Sequence, residues 1–149
     1  MDIKIAQTTD YNKILEFAFD NGVEYDETNK CYINEPFFAL ELTSDNDLIG
    51  SASICKSKVG DYILEQLAVK EEYRHKGYAT QLIKTILRRM KELNIKKIYL
   101  IAHVYEIYLK NGFEFYNNND KDYLISDNCL NCDLYINKEC IPRIMTIDL

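Results

Sequence analysis

A chain of 149 residues suits one domain, since chains of this size bury roughly 70% of their unfolded surface. Its composition, 47% hydrophobic and 28% charged, is that of an ordinary globular protein, and the formal net charge of −6 argues against a main task of holding nucleic acid, which needs a basic face. No stretch approaches the roughly 20 apolar residues of a membrane span, and MDIKIAQTTD lacks the basic start and apolar run of a signal peptide, so a cytoplasmic protein with no membrane partner is expected.

Ile3 and Ile5 alternate about Lys4 and suggest a first strand, after which Thr9 is placed to cap a helix carrying Tyr11, Ile14, Leu15 and Ala18 on one face. The next stretch, 20–36, has mixed polarity and no sustained period and reads as loop. Phe37 to Leu42 and Leu48 to Cys55 are strand-like runs joined by the polar turn Ser44, Asp45, Asn46 and Asp47. Ser57 to Asp61 then turns the chain into 62–69, where Ile63, Leu64, Leu67, Ala68 and Val69 fall on both faces, as in a strand covered on both sides. Glu65 and Gln66 interrupt that strand. The three strands form an antiparallel meander.

From Gly77 the period changes. Leu82, Ile86 and Met90 recur every fourth residue, with Ile83, Leu87 and Leu93 widening the stripe, which predicts a long amphipathic helix. Arg74, His75 and Lys76 stand at its N-terminal end, where the macrodipole is positive and acidic residues would be stabilising. A bound polyanion would account for them, because free N–H groups of the first turn, the dipole and the basic side chains all attract phosphate, and Gly77 permits close approach. The alternative is a solvated basic turn before a surface helix. The stretch is neither GxxxxGK[ST] nor GxGxxG, which weakens nucleoside triphosphate and dinucleotide readings. The helix returns most simply by a right-handed crossover to a parallel strand at 97–101, giving a mixed α/β sheet. His103 is a candidate base or a helix-start residue satisfied by backbone, and Tyr105, Tyr108 and Phe113 fit a short packed helix.

The stretch 117–141 is too long for a plain connection and has little period. Cys129, Cys132 and Cys140 fall in it as C-x2-C-x7-C. Three readings stay open: a metal site, where tetrahedral zinc would need a fourth ligand from elsewhere; a redox-sensing pair; or reduced cysteines packed as small apolar residues.

The run LAVKEEYRHKGYATQLI resembles the acyl-CoA signature of the GNAT superfamily of N-acetyltransferases, with Arg74, Gly77 and Ala79 at its defining positions. IYLKNGFEF resembles a second family segment through Tyr108, Lys110, Gly112 and Phe113, and IPRIMTIDL is similar to the final strand of many members. The resemblance implies a single GNAT-like domain over 1–149 with a Cys-containing insert at about 117–141, bordering the acceptor site as a lid or specificity element. Its fold class would be α/β, a mixed, mostly antiparallel central sheet with helices on both faces, splayed between the strands at 62–69 and 97–101.

By the same resemblance, acetyl-CoA would be the cosubstrate. Main-chain groups at Leu67, Ala68 and Val69 would hold its pantetheine and thioester, and Arg74, His75, Lys76, Gly77, Tyr78, Ala79 and Thr80 its pyrophosphate. Glu65 would act as base, its pKa raised by burial, and Tyr108 would protonate the departing thiolate. Against these stand a structural, hydrogen-bonded Glu65 and a Tyr108 that only packs. The implied reaction moves an acetyl group to a primary amine of a small molecule or peptide by direct attack in a ternary complex. The alternative is a non-catalytic acyl-CoA sensor or a cysteine- or metal-dependent regulatory module, and a homodimer is left open.

Overall fold

The computed structural model describes residues 1–21, 35–125 and 142–149. Strands β1 (Ile3–Thr8), β2 (Glu35–Ser44), β3 (Asp47–Lys56) and β4 (Tyr62–Val69) form the antiparallel meander, and helix α1 (Tyr11–Asp20) follows β1. The β2–β3 turn is narrower than expected. Asp45 and Asn46 both take positive φ, 49° and 72°, the conformation that joins two twisted strands through two residues. The cap of α1 also differs: Thr8 Oγ1 accepts the N–H of Asp10, and Asp10, not Thr9, accepts the N–H of Lys13 at 3.2 Å.

A single 3₁₀ turn at Glu71–Tyr73 leads to helix α2 (Tyr78–Glu92), strand β5 (Lys97–Ala102), helix α3 (Glu106–Lys110) and strand β6 (Glu114–Phe115). A second 3₁₀ turn, Asn119–Lys121, precedes the last strand, β7 (Arg143–Asp148). The sheet order is β1-β2-β3-β4-β5-β7-β6, so β7 inserts between β5 and β6 and is antiparallel to both. As expected, β5 is parallel to β4. Their one register pair is Ile63↔Tyr99, and beyond it β4 keeps β3 but has no ladder with β5. That is the splay.

Helix α2 buries Leu82, Ile83, Ile86 and Met90 against Leu40, Leu42, Ile49, Ile54, Leu64 and Val69 of the sheet. Full burial of such side chains stabilises by roughly 1.5–3 kcal/mol each. Leu93 caps the helix and is exposed, so it leaves the predicted stripe. Helix α1 lies on the opposite face, because its Phe17 and Ala18 pack on Ala68, the neighbour of Val69.

The α1 face has a second cover. Leu124, fully buried, packs with Cys55, Ile63, Tyr99 and Ile144, so the first residues of the 117–141 stretch belong to the core. What orders them is a polar clasp on the β3–β4 turn. Lys121 Nζ reaches both oxygens of Asp61 at 3.1 and 3.0 Å, and Tyr123 donates to the same carboxylate. Ser57 Oγ sits 2.9 Å from the Tyr123 hydroxyl and accepts the N–H of Asp61. These partners lie some sixty residues apart, so no local period could announce them. Among the described residues, no helix is long and apolar enough to cross a membrane.

Candidate functional site

The interruption seen at Glu65 and Gln66 is a β-bulge. Ser53 of β3 pairs with Gln66, but the next residue, Ile54, pairs with Leu64, so Glu65 is extra in β4. The side chains confirm the offset. Leu64 and Leu67 are three apart yet both pack toward α2, while Ile63 and Ala68 pack on the α1 face. With 64 and 67 on one face and 63 and 68 on the other, Glu65 and Gln66 both project toward the α1 face, beside Ser53. A regular strand would have sent them to opposite sides. The bulge lies where β4 has left β5, so β4 peptide groups not engaged by β3 face the gap. Glu65 is half-buried, with Oε2 shielded from solvent, and Gln66 is buried.

Following β4, the turn changes hand twice. His75 takes φ 62° and Gly77 φ 85°, with Gly77 as the N-cap of α2. A Cβ on Gly77 would meet nothing within 4 Å, so it is the positive φ, not crowding, that calls for glycine, and the approach from that side is open. No side chain caps α2 and no acidic residue occupies its first turn, so the N–H groups of Tyr78, Ala79 and Thr80 present a positive helix end. Lys76 Nζ lies 5.7 Å over the ring of Tyr73, which keeps its charge beside the turn.

Arg74 has a task the sequence does not suggest. Its Nε donates to the carbonyl of Val69 and its Nη2 to that of Asn21, both at 2.8 Å. The guanidinium thus ties the turn to the ends of β4 and α1, and the Val69 carbonyl is engaged within the protein. Leu67, Tyr78 and Ala79 all pack against the α2-side core.

Tyr108 joins that same core from α3, its ring edge-on to Phe113 at 5.8 Å. Burial pushes its phenol up to about 12. His103 is exposed at the bend after β5. The chain brings the β4 bulge, the gap and the α2 N-terminus together within one continuous run, 64–80, while Tyr108 comes from a separate element. Sequence reading singled out Glu65 but missed Ser53, whose β3 strand carries no motif. Cys129, Cys132 and Cys140 lie outside the described residues, and among the described residues no three or more His, Cys, Asp or Glu side chains cluster as metal ligands do.

The sequence profile of the acetyltransferase (GNAT) family matches residues 7–113. Among solved structures, the chain is similar to the IAA acetyltransferase from Bacillus cereus, with a TM-score of 0.70 at 12% identity, covering 99% of this chain and 100% of that one. It is also similar to a GNAT family acetyltransferase from Elizabethkingia anophelis with acetyl-CoA bound, with a TM-score of 0.69 at 17% identity and coverage of 99% and 98%. The PaiA N-acetyltransferase from Thermoplasma acidophilum, in complex with coenzyme A, gives 0.66 at 19% identity, with both chains covered completely. No curated protein matches the sequence.

Proposed function

The chain belongs to the acetyltransferase (GNAT) family, and on that premise we propose that it moves an acetyl group from acetyl-CoA to a primary amine by direct attack in a ternary complex. The observation that carries this reading is the single run from the unpaired edge of β4 to the uncapped start of α2, which offers main-chain donors for an extended thioester arm and then for a pyrophosphate. Main-chain groups of Leu67 and the N–H of Val69 hold the arm, whereas the register that lets Lys70 N–H donate to the Ile49 carbonyl turns the main chain of Ala68 toward β3 instead. The backbone from Arg74 to Thr80 holds the pyrophosphate, with His75 and Lys76 facing solvent around it. Two of the similar structures carry acetyl-CoA or coenzyme A, which supports the same cosubstrate here.

Glu65 takes the proton of the acceptor, and the bulge that aims it beside the gap favours this over a purely structural role. Tyr108 serves the sulfur. A phenol near 12 keeps its proton at neutral pH, and a thiol titrates near about 8.5, so complete transfer from Tyr108 to the thiolate is uphill by roughly 5 kcal/mol. Its contribution is therefore an O–H hydrogen bond to the developing thiolate.

Calorimetry with acetyl-CoA, followed by thiol release with a panel of amines, tests the proposal. Gly77→Val forces a β-branched residue into φ 85° and is expected to weaken acetyl-CoA binding roughly fivefold to thirtyfold, from about 1–2 kcal/mol of strain. Absence of acetyl-CoA binding by the unaltered protein would sink the proposal, and binding without thiol release from any amine would mark a sensor instead.

A further inference from the structure

We propose that Ser53, which lies outside every motif above, is a positioning residue: with Glu65 and Gln66 it holds an ordered water that passes the acceptor's proton to Glu65. This rests on the reading of Glu65 as the base. Ser53 is 2% exposed, and its Oγ has no hydrogen-bond partner among the described residues. Ser51, two residues along the same face, is 0% exposed with its Oγ in the same state. Buried hydroxyls of this kind are costly unless a water satisfies them.

The placement is specific. Ser53 pairs directly with Gln66 across the ladder, and the bulge turns Glu65 to the same face, with its Oε2 shielded from solvent. Toward one end Ser51 sits opposite Ala68, which packs with Phe17 and Ala18, and toward the other Cys55 and Ile63 pack with Leu124. A polar strip of Ser53, Glu65 and Gln66 thus interrupts two cores at the edge of the β4–β5 gap. The charged pair also on that face, Glu41 opposite Ser51 and Lys13 of α1, is closed on itself at 2.7 Å, and Glu16 and Asp20 of α1 are exposed.

In the relay, the ammonium of the acceptor gives one proton to the water as the water gives one to the Glu65 carboxylate. The freed amine nitrogen then bonds to the thioester carbonyl carbon, the C–S bond breaks, and the nitrogen's second proton leaves with the sulfur as free thiol. Glu65 returns its proton to solvent.

Three measurements test this without requiring the natural acceptor for the first two. A crystal structure of the free protein that resolves waters should place one within about 3 Å of both Ser53 Oγ and Glu65 Oε2. In ¹³C spectra of glutamate-labelled protein, with the Glu65 carboxyl assigned through Glu65→Gln, Ser53→Ala should raise its titration midpoint by about half to one pH unit, the size of one lost hydrogen bond to the charged form, and Ser53→Thr should restore it. With an amine that turns over, Ser53→Ala should lower kcat roughly tenfold while acetyl-CoA affinity stays within about twofold. An unmoved Glu65 titration and an unmoved pH profile in Ser53→Ala would overturn the proposal. If Glu65→Gln itself leaves turnover unchanged, the base reading fails and the relay with it, even where the water and the shifted titration persist.

Discussion

Glu65→Gln is expected to lower turnover by roughly 10²- to 10⁴-fold, the range for losing a positioned general base, with acetyl-CoA affinity unchanged within about twofold. Glutamine keeps the volume and the hydrogen-bonding shape but cannot accept the proton. The effect should fall on turnover alone, because the arm proposed to bind main-chain groups of β4 does not involve the Glu65 side chain, which projects toward the α1 face. The wild-type pH profile should also carry an acid limb, where the carboxylate is protonated and cannot act, and the variant should lack it. Steady-state thiol release with calorimetry on the same samples separates the two effects. Equal turnover in both proteins would rule out Glu65 as the base.

Arg74→Ala should weaken acetyl-CoA binding and destabilise the fold together, whereas Lys76→Ala should do only the first. Arg74 ties the turn to Val69 and Asn21 through two hydrogen bonds from a charged donor. The Val69 bond is part-buried and the Asn21 bond exposed, so a loss of about 2 kcal/mol, mostly from the former, and a fall in melting temperature of about 4–8 °C are expected. With the tie gone, the turn no longer holds the α2 N–H groups in one arrangement, and affinity falls as well. Lys76 contributes a surface charge over Tyr73, so its removal should weaken binding in a salt-dependent way and leave melting unchanged. Arg74→Lys keeps the charge but not the fork that reaches both carbonyls, and should melt like the alanine variant. Identical behaviour of Arg74→Ala and Lys76→Ala would show that Arg74 acts only as a charge.

Much of the fold could be read from local pattern. Alternation at Ile3 and Ile5, the apolar run at 62–69 and the four-residue spacing of Leu82, Ile86 and Met90 each lie within one window, and each became the expected element. The family-like residues Arg74, Gly77 and Ala79 likewise occur within six positions, and the profile match over 7–113 bears the resemblance out. Even the parallel return to β5 followed from the long helical connection, which carries the chain back across the sheet before it pairs again.

What the sequence could not carry is register and long-range pairing. Whether Glu65 and Gln66 face apart or together depends on one slipped residue against β3, and a slip of one reverses a face without changing any local signal. The role of Ser53 exists only because that slip sets it beside Glu65. The tie from Arg74 to Asn21, the clasp of Lys121 and Tyr123 on Asp61 and the insertion of β7 between β5 and β6 all join segments far apart in the chain. Periodicity and motif spacing therefore determined the main elements, the family and the place of the basic turn before α2. Only tertiary packing, in which hydrogen bonds and buried area between distant segments compete, decided which side chains share a face, which charges are already engaged and which buried hydroxyls stand beside Glu65.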